Sequence, residues 1–405
     1  MSGVALVSQA AENEAELASA VEQRSLDGQL TTLRWIVVLA QGTTIMLTLP
    51  LWKVRTSPPN LPLVDWLSGG DWPIDFHWIL LGSLVVALTR PAIGAALHLV
   101  LLVLSILADQ LRMQPECISL ALLLIGTTWG SAGKIIARSH LIALWFFAGL
   151  HKLLSPDYLE SSGPDNFLRA MPTLSISMAS YLAVALAIWE LLQGVLLLIY
   201  PWRRIAGFSA LILHTLILCG LVASNLNTAV WPWNVALAAA GLLLIPQPIE
   251  VTSQQRWHVL AYLVGLVLLL SPPLYYVGKL DAYLAHCLYS DNTPQAAYYD
   301  RTGESRYLSS VTMDAMNVPF PPAHRLFFQY FDRVSQAGDS LVITDERSWA
   351  KAHRLDKLEL KADWLRPQPQ AASQLEKQGL LPMSPLPLPG AIDGEESSLK
   401  PDDKE

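Results

Sequence analysis

The sequence predicts an all-α polytopic membrane protein of about nine transmembrane helices, followed by a small C-terminal α/β module and a disordered tail. Three observations carry that expectation. The 405 residues are 52% hydrophobic and only 15% charged, whereas soluble domains carry nearer a quarter charged residues. The apolar residues gather in long runs, and a bilayer core about 30 Å thick takes roughly 20 of them to cross. No alternating barrel pattern appears, so helices are what remains to satisfy the backbone in lipid.

Residues 1–32 form a polar, acidic N-terminal tail (AENEAEL, VEQRSLDG). This is the opposite of a basic and then apolar leader, so no cleavable signal peptide is expected. The Ala/Glu-rich segment Val7–Glu22 suits a short helix outside the bilayer. The transmembrane domain is read over 33–278, with spans at 33–52, 74–89, 92–109, 117–133, 137–154, 178–200, 204–224, 228–246 and 257–278. Proline-bearing or polar joints separate them, among them SPPN at 57–60, PWRR at 201–204 and PQP at 246–248.

Lys and Arg in short loops set orientation. With the N-terminus cytoplasmic, Arg24, Arg34, Arg90, Lys134, Arg138, Arg203, Arg204 and Arg256 fall inside, while Lys53, Arg55, Arg112 and Arg169 fall outside. Nine spans then carry the C-terminal part outside, with Lys152 at the outer face. After Lys279 the composition becomes that of a soluble α/β module, read over 279–366. SRYLSSVTM at 305–313 and SLVIT at 340–344 read as strands. PPAHRLFFQYFDRVSQ between them carries Leu326, Phe327, Tyr330, Phe331 and Val334 at helical spacing. Residues 367–405 are Pro-rich and then acidic, the composition of a disordered tail. Short loops and the lack of an N-glycosylation sequon fit a bacterial inner membrane.

Composition also excludes function classes. The net charge of -7 includes no Lys/Arg block, so nucleic-acid binding has no electrostatic footprint. Cys117, Cys219 and Cys287 lie far apart, which offers neither a disulfide framework nor a CxxC site. No HExxH, P-loop or GxGxxG pattern occurs, and no metal is implied.

Ionisable groups inside spans are costly and mark candidate sites. Glu190 and His214 lie near the middle of consecutive helices, about ten residues from their shared turn, and can meet at similar depth. A carboxylate facing an imidazole can serve as a polar clamp between helices or as a proton-handling pair. Lys152, in the last turn of its span, reads by position as an interfacial anchor that complements the helix dipole; an amine desolvated enough to act as a base is the sharper alternative. His151 beside it reads as interfacial. Trp231 and Trp233 stand where an aromatic belt is expected.

The stretch FFAGLHKLLSPDYL, at 146–159, resembles the signature of the vitamin K-dependent gamma-carboxylase superfamily, also called the horizontally transferred transmembrane (HTTM) domain family. Downstream, WELLQGVLLLIYPWRRIAGFSALILHTLI and WPWNVAL resemble that family's next elements, so the resemblance covers about 137–246. It implies that Lys152 acts as a base toward a quinol of the vitamin K kind, with Glu190 and His214 at the family's intramembrane polar positions. It implies further that the cofactor meets Trp145, Phe147, His151, Trp231 and Trp233. The leading expectation is therefore a carboxylase-like or quinol-linked enzyme at the outer bilayer face. A non-catalytic, DoxX-like accessory protein that binds lipid or quinone is the alternative, and a transporter the third. Beyond the bilayer, the sequence names no protein partner.

Overall fold

The structure is a computed structural model that describes residues 2–55, 58–64, 75–249 and 255–362; for 2–23 and Gln255 it describes the backbone alone. The tail expected at 367–405 lies outside the described residues. The helical part comprises α1 (Ser2–Leu47), α2 (Phe76–Thr89), α3 (Pro91–Ala108), α4 (Pro115–Gly126), α5 (Gly130–Leu153), α6 (Gly163–Ala170), α7 (Ile176–Leu198), α8 (Arg203–Ala223), α9 (Trp231–Leu243) and α10 (Gln255–Leu270).

Each of the nine apolar runs holds a helix, and among the described residues five helices are long and apolar enough to cross a membrane: Arg24–Leu47 of α1, α3, α5, α7 and α8 with its preceding turn. The count of nine full spans is not confirmed by these lengths. At 1.5 Å per residue, α2, α4, α9 and α10 reach only about 18 to 24 Å. The runs read from the sequence are longer than these helices because they include apolar residues in turns, such as Leu244 and Ile245 beyond α9 and the 3₁₀ turn Pro272–Val277 beyond α10.

The bundle is organised around α5, which packs against α4, α7 and α10. Its best apolar window is 83% buried, against 28–39% for the other four long helices. Those helices turn large apolar side chains outward, including Tyr181, Phe208 and Leu216, as a lipid-facing surface requires. One end of the bundle is tied by cations: Lys134 Nζ donates to the carbonyl of Pro248 at 2.8 Å and Arg138 to that of Leu244 at 2.8 Å, closing the C-terminus of α9.

The opposite end carries the C-terminal module, built from β1 (Gln295–Tyr299), β2 (Ser305–Tyr307), α11 (Leu308–Met316), α12 (His324–Val334), β3 (Ser340–Thr344), α13 (Ser348–Ala352) and β4 (Lys357–Lys361). Its four strands form one antiparallel sheet in the order β2-β1-β3-β4, with Ala297 opposite both Tyr307 and Val342. The strand at 340–344 and the amphipathic helix before it, α12, match the sequence expectation. The strand expected over 305–313 does not: only Ser305–Tyr307 pair, and Leu308–Met316 are helical. The buried residues Leu308, Thr312 and Met316 recur every four positions, a helical stripe that outweighs the β-branched content. Within Met1–Asp363, a single compact unit, the module meets the bundle through defined bonds. Gln110 donates to Gln329, Gln114 to the Pro319 carbonyl, and Asn317 to the Leu47 carbonyl and Thr228.

Candidate functional site

Lys152 and Glu190 meet because α5 and α7 come into near backbone contact. A Cβ on Gly149 would lie 2.4 Å from the Leu191 nitrogen and 2.5 Å from the Ala187 oxygen, so only glycine permits this approach. At that spacing Lys152 Nζ donates to Glu190 Oε2 at 2.5 Å. Both residues are buried, 5% and 7% exposed. The interfacial anchor expected from Lys152's place in the last turn is therefore not formed. The helix ends about halfway along α7, and the chain after it, the wide turn Tyr158–Ser162 and α6, covers the pair. Tyr158 packs on Ala183 and Ala187, and its ring centroid lies 6.0 Å from Lys152 Nζ.

Glu190 does not bond His214. On α7, Trp189 and Gln193 share the face toward α8, where they donate to Ser209 at 2.7 Å and to the Ala206 carbonyl at 2.7 Å. Ala187, Glu190 and Gly194 lie on the face toward α5, and the carboxylate follows that face. His214 forms a separate chain. Trp145 Nε1 donates to His214 Nε2 at 2.8 Å, so that nitrogen is the unprotonated one, and His214 Nδ1 donates to Asn234 Oδ1 at 2.9 Å. Asn234 Nδ2 in turn donates to the Val230 carbonyl at 3.0 Å. The imidazole is neutral with its tautomer fixed from both sides.

His151 is wholly buried and not interfacial. Its Nε2 faces the Ala285 carbonyl at 2.9 Å and must donate there, which leaves Nδ1 to accept from Tyr276 Oη at 2.6 Å. This residue ties α5 to the segment leading into the module. Phe147 is packed edge-on against Phe146, and Trp231 donates to the Leu226 carbonyl. Trp145 is committed to His214, whereas Trp233, with its indole nitrogen unbonded, lines a cavity. Sequence reasoning missed Asn234, Tyr276 and Tyr158 as partners of the polar centre. Asn234 had a signal, an amide placed inside an apolar helix directly after WPW, and Tyr158 lay in the stretch FFAGLHKLLSPDYL, six residues after Lys152; Tyr276 had none, since a distant turn delivers it.

In the module, His324, Asp345 and Arg347 form a second buried cluster. Arg347 Nη2 donates to Asp345 Oδ2 at 2.6 Å and Nη1 to the Tyr275 carbonyl at 2.9 Å, joining the sheet to the end of α10. His324 Nε2 is 3.5 Å from Asp345 Oδ2. Burial lowers the His324 pKa to about 4; Asp345 raises it, but that carboxylate is already engaged by Arg347, whose charge lowers it.

No curated protein and no solved structure matches the chain. One family model does, over residues 130–232, about a quarter of the sequence. The match opens at the first residue of α5 and closes in the first turn of α9, so it holds Lys152, Glu190 and His214 together. It falls on the same stretch as the gamma-carboxylase resemblance and overturns it: the assignment to the HTTM family is corrected, and with it the quinol-linked enzyme that the assignment implied. Over this stretch the chain is similar to the methylamine utilisation protein MauE.

Proposed function

We propose that the chain is a non-catalytic accessory protein of the membrane that serves methylamine utilisation, the process named in the description of the matched family. The match over the helices that hold the polar centre is the observation that carries this reading. The chemistry of that centre supports it. A general base needs a lone pair directed at the proton it removes. Lys152 directs its donors at Glu190, and both His214 nitrogens and both His151 nitrogens are engaged by the protein itself. The polar groups then act as clamps that fix α5 against α7, α8 and the segment under the module.

In this reading the shorter helices also lie in the bilayer of a bacterial inner membrane, with the N-terminus cytoplasmic and the module outside. Arg90, Arg203, Arg204 and Arg256 stand at the end away from the module, as the preference of short cytoplasmic loops for Lys and Arg requires. The test is growth on methylamine of a source strain lacking the chain, complemented by wild type or by Lys152→Met/Glu190→Leu. Loss of growth on methylamine alone, restored by both forms, is expected. Normal growth on methylamine without the chain overturns the accessory role, and failure of a well-folded double variant to restore growth overturns the purely structural role of the pair.

A further inference from the structure

A cavity of about 800 Å³ lies between the module end of the bundle and the module itself. That is the size of a small-molecule site. Its walls come from the start of α4, the turn before α9, the segment 283–296 and the loop before α12. Most of them lie outside the stretch 130–232, so the cavity belongs to this chain's own elaboration and its argument is independent of the family match.

The charge of the walls is one-sided. Glu116 and Asp291 line the cavity, and among the described lining residues there is no Lys, Arg or His. Glu116 is 2% exposed, its own backbone nitrogen donates to its carboxylate, and among the described residues it has no ion-pair partner. Every other buried carboxylate among the described residues of the bundle has a cation: Asp109 has Arg55 and Arg112, and Glu190 has Lys152. An isolated carboxylate in such a place is costly unless a positive charge or a proton joins it. The rest of the wall says which kind of charge fits. Trp233, Tyr283 and Tyr289 present aromatic rings, which attract organic ammonium groups through their faces. Asn227 has a buried side-chain oxygen without a donor, a second acceptor on the same wall. No group of three or more His, Cys, Asp or Glu able to hold a metal occurs among the described residues, so the donor set suits a soft monovalent cation better than a metal ion.

We propose that this cavity binds an organic ammonium group, with Glu116 as its counter-ion, Asp291 as a second negative charge and Trp233, Tyr283 and Tyr289 as the aromatic wall. The same chemistry is offered by a free alkylamine and by the headgroup of an aminophospholipid. The full-length chain is placed in nanodiscs of phosphatidylglycerol, which has no amine, and titrated with radiolabelled methylammonium; parallel nanodiscs containing phosphatidylethanolamine are examined by native mass spectrometry for retained lipid. Glu116→Gln keeps the shape of the side chain and removes its charge, and Asp291→Asn/Trp233→Phe serves if the first variant melts early. Saturable methylammonium binding that methanol does not displace, weakened at least tenfold in the variant, is the expected result for a free amine. Retention of phosphatidylethanolamine by wild type but not by the variant is the expected result for a headgroup. Absence of both, or equal binding by wild type and a well-folded variant, overturns the proposal.

Discussion

Replacing Lys152 with Met leaves Glu190 as a buried carboxylate without a partner. Both side chains are under a tenth exposed, and breaking such a pair from one side costs about 3–5 kcal/mol because the surviving charge stays desolvated. Glu190→Leu strands the ammonium and costs a similar amount. The double replacement Lys152→Met/Glu190→Leu removes both charges while keeping volume, and the exchange of such pairs for apolar residues is often neutral or stabilising by about 1–4 kcal/mol. The double-mutant cycle therefore carries a coupling of about 3 kcal/mol or more, well above the average of about 0.6 kcal/mol for hydrogen bonds between transmembrane helices. Reversible unfolding in mixed micelles, followed by tryptophan fluorescence, reads it. Single variants that cost under about 1 kcal/mol, or a double variant whose loss equals the sum of the singles, would refute the argument that the two charges are held away from water and depend on each other.

Gly149→Val places side-chain atoms where the backbone of α7 already sits; a loss of at least about 3 kcal/mol, or a chain that does not assemble, is expected in the same assay. Trp145→Phe keeps the ring but leaves His214 Nε2 without its donor, at a cost of about 1–3 kcal/mol, and Asn234→Leu leaves Nδ1 unbonded at a similar cost. The module is expected to weaken in acid. The folded pKa of His324 is lowered to about 4 against 6.5 unfolded, so between these values the unfolded chain binds the extra proton and stability falls as pH falls, by about 3 kcal/mol over the window. His324→Phe should flatten that part of the profile when unfolding is measured from pH 7 to pH 4, and an unchanged slope would remove His324 from the account.

The helices were legible because apolar runs of this length have few other fates in a chain with so little charge. Their true lengths were not, because a turn that packs inside the protein is as apolar as a helix; Leu244 and Ile245, both fully buried in the turn after α9, show why. The polar centre was legible as a set of residues and not as a set of contacts. Periodicity shows that Glu190 and Trp189 face different ways, but which neighbour each face meets depends on the absence of side chains at Gly149 and Gly194, a property of the assembled pair of helices. The strands β1 and β4 escaped because QAAYY and KLELK carry no β-branched residue, although turn residues flank β1 on both sides (292–294 and 300–303). The family resemblance rested on short apolar pieces with few fixed residues, a pattern that membrane helices of unrelated families share.

The bonds that seat the module have a consequence for biogenesis. Asn317 reaches the end of α1 across 270 positions of sequence, Gln329 reaches Pro62 across 267, and Gln110 reaches Gln329 across 219. The helices leave the ribosome long before the residues that join their ends exist. Contacts so distant in sequence form late, since the closure entropy of the intervening chain must be met first. During synthesis the bundle therefore waits, partly assembled, for its own C-terminal third. A chain halted before residue 317 would hold the apolar helices with one end unfastened, a natural substrate for membrane quality-control proteases.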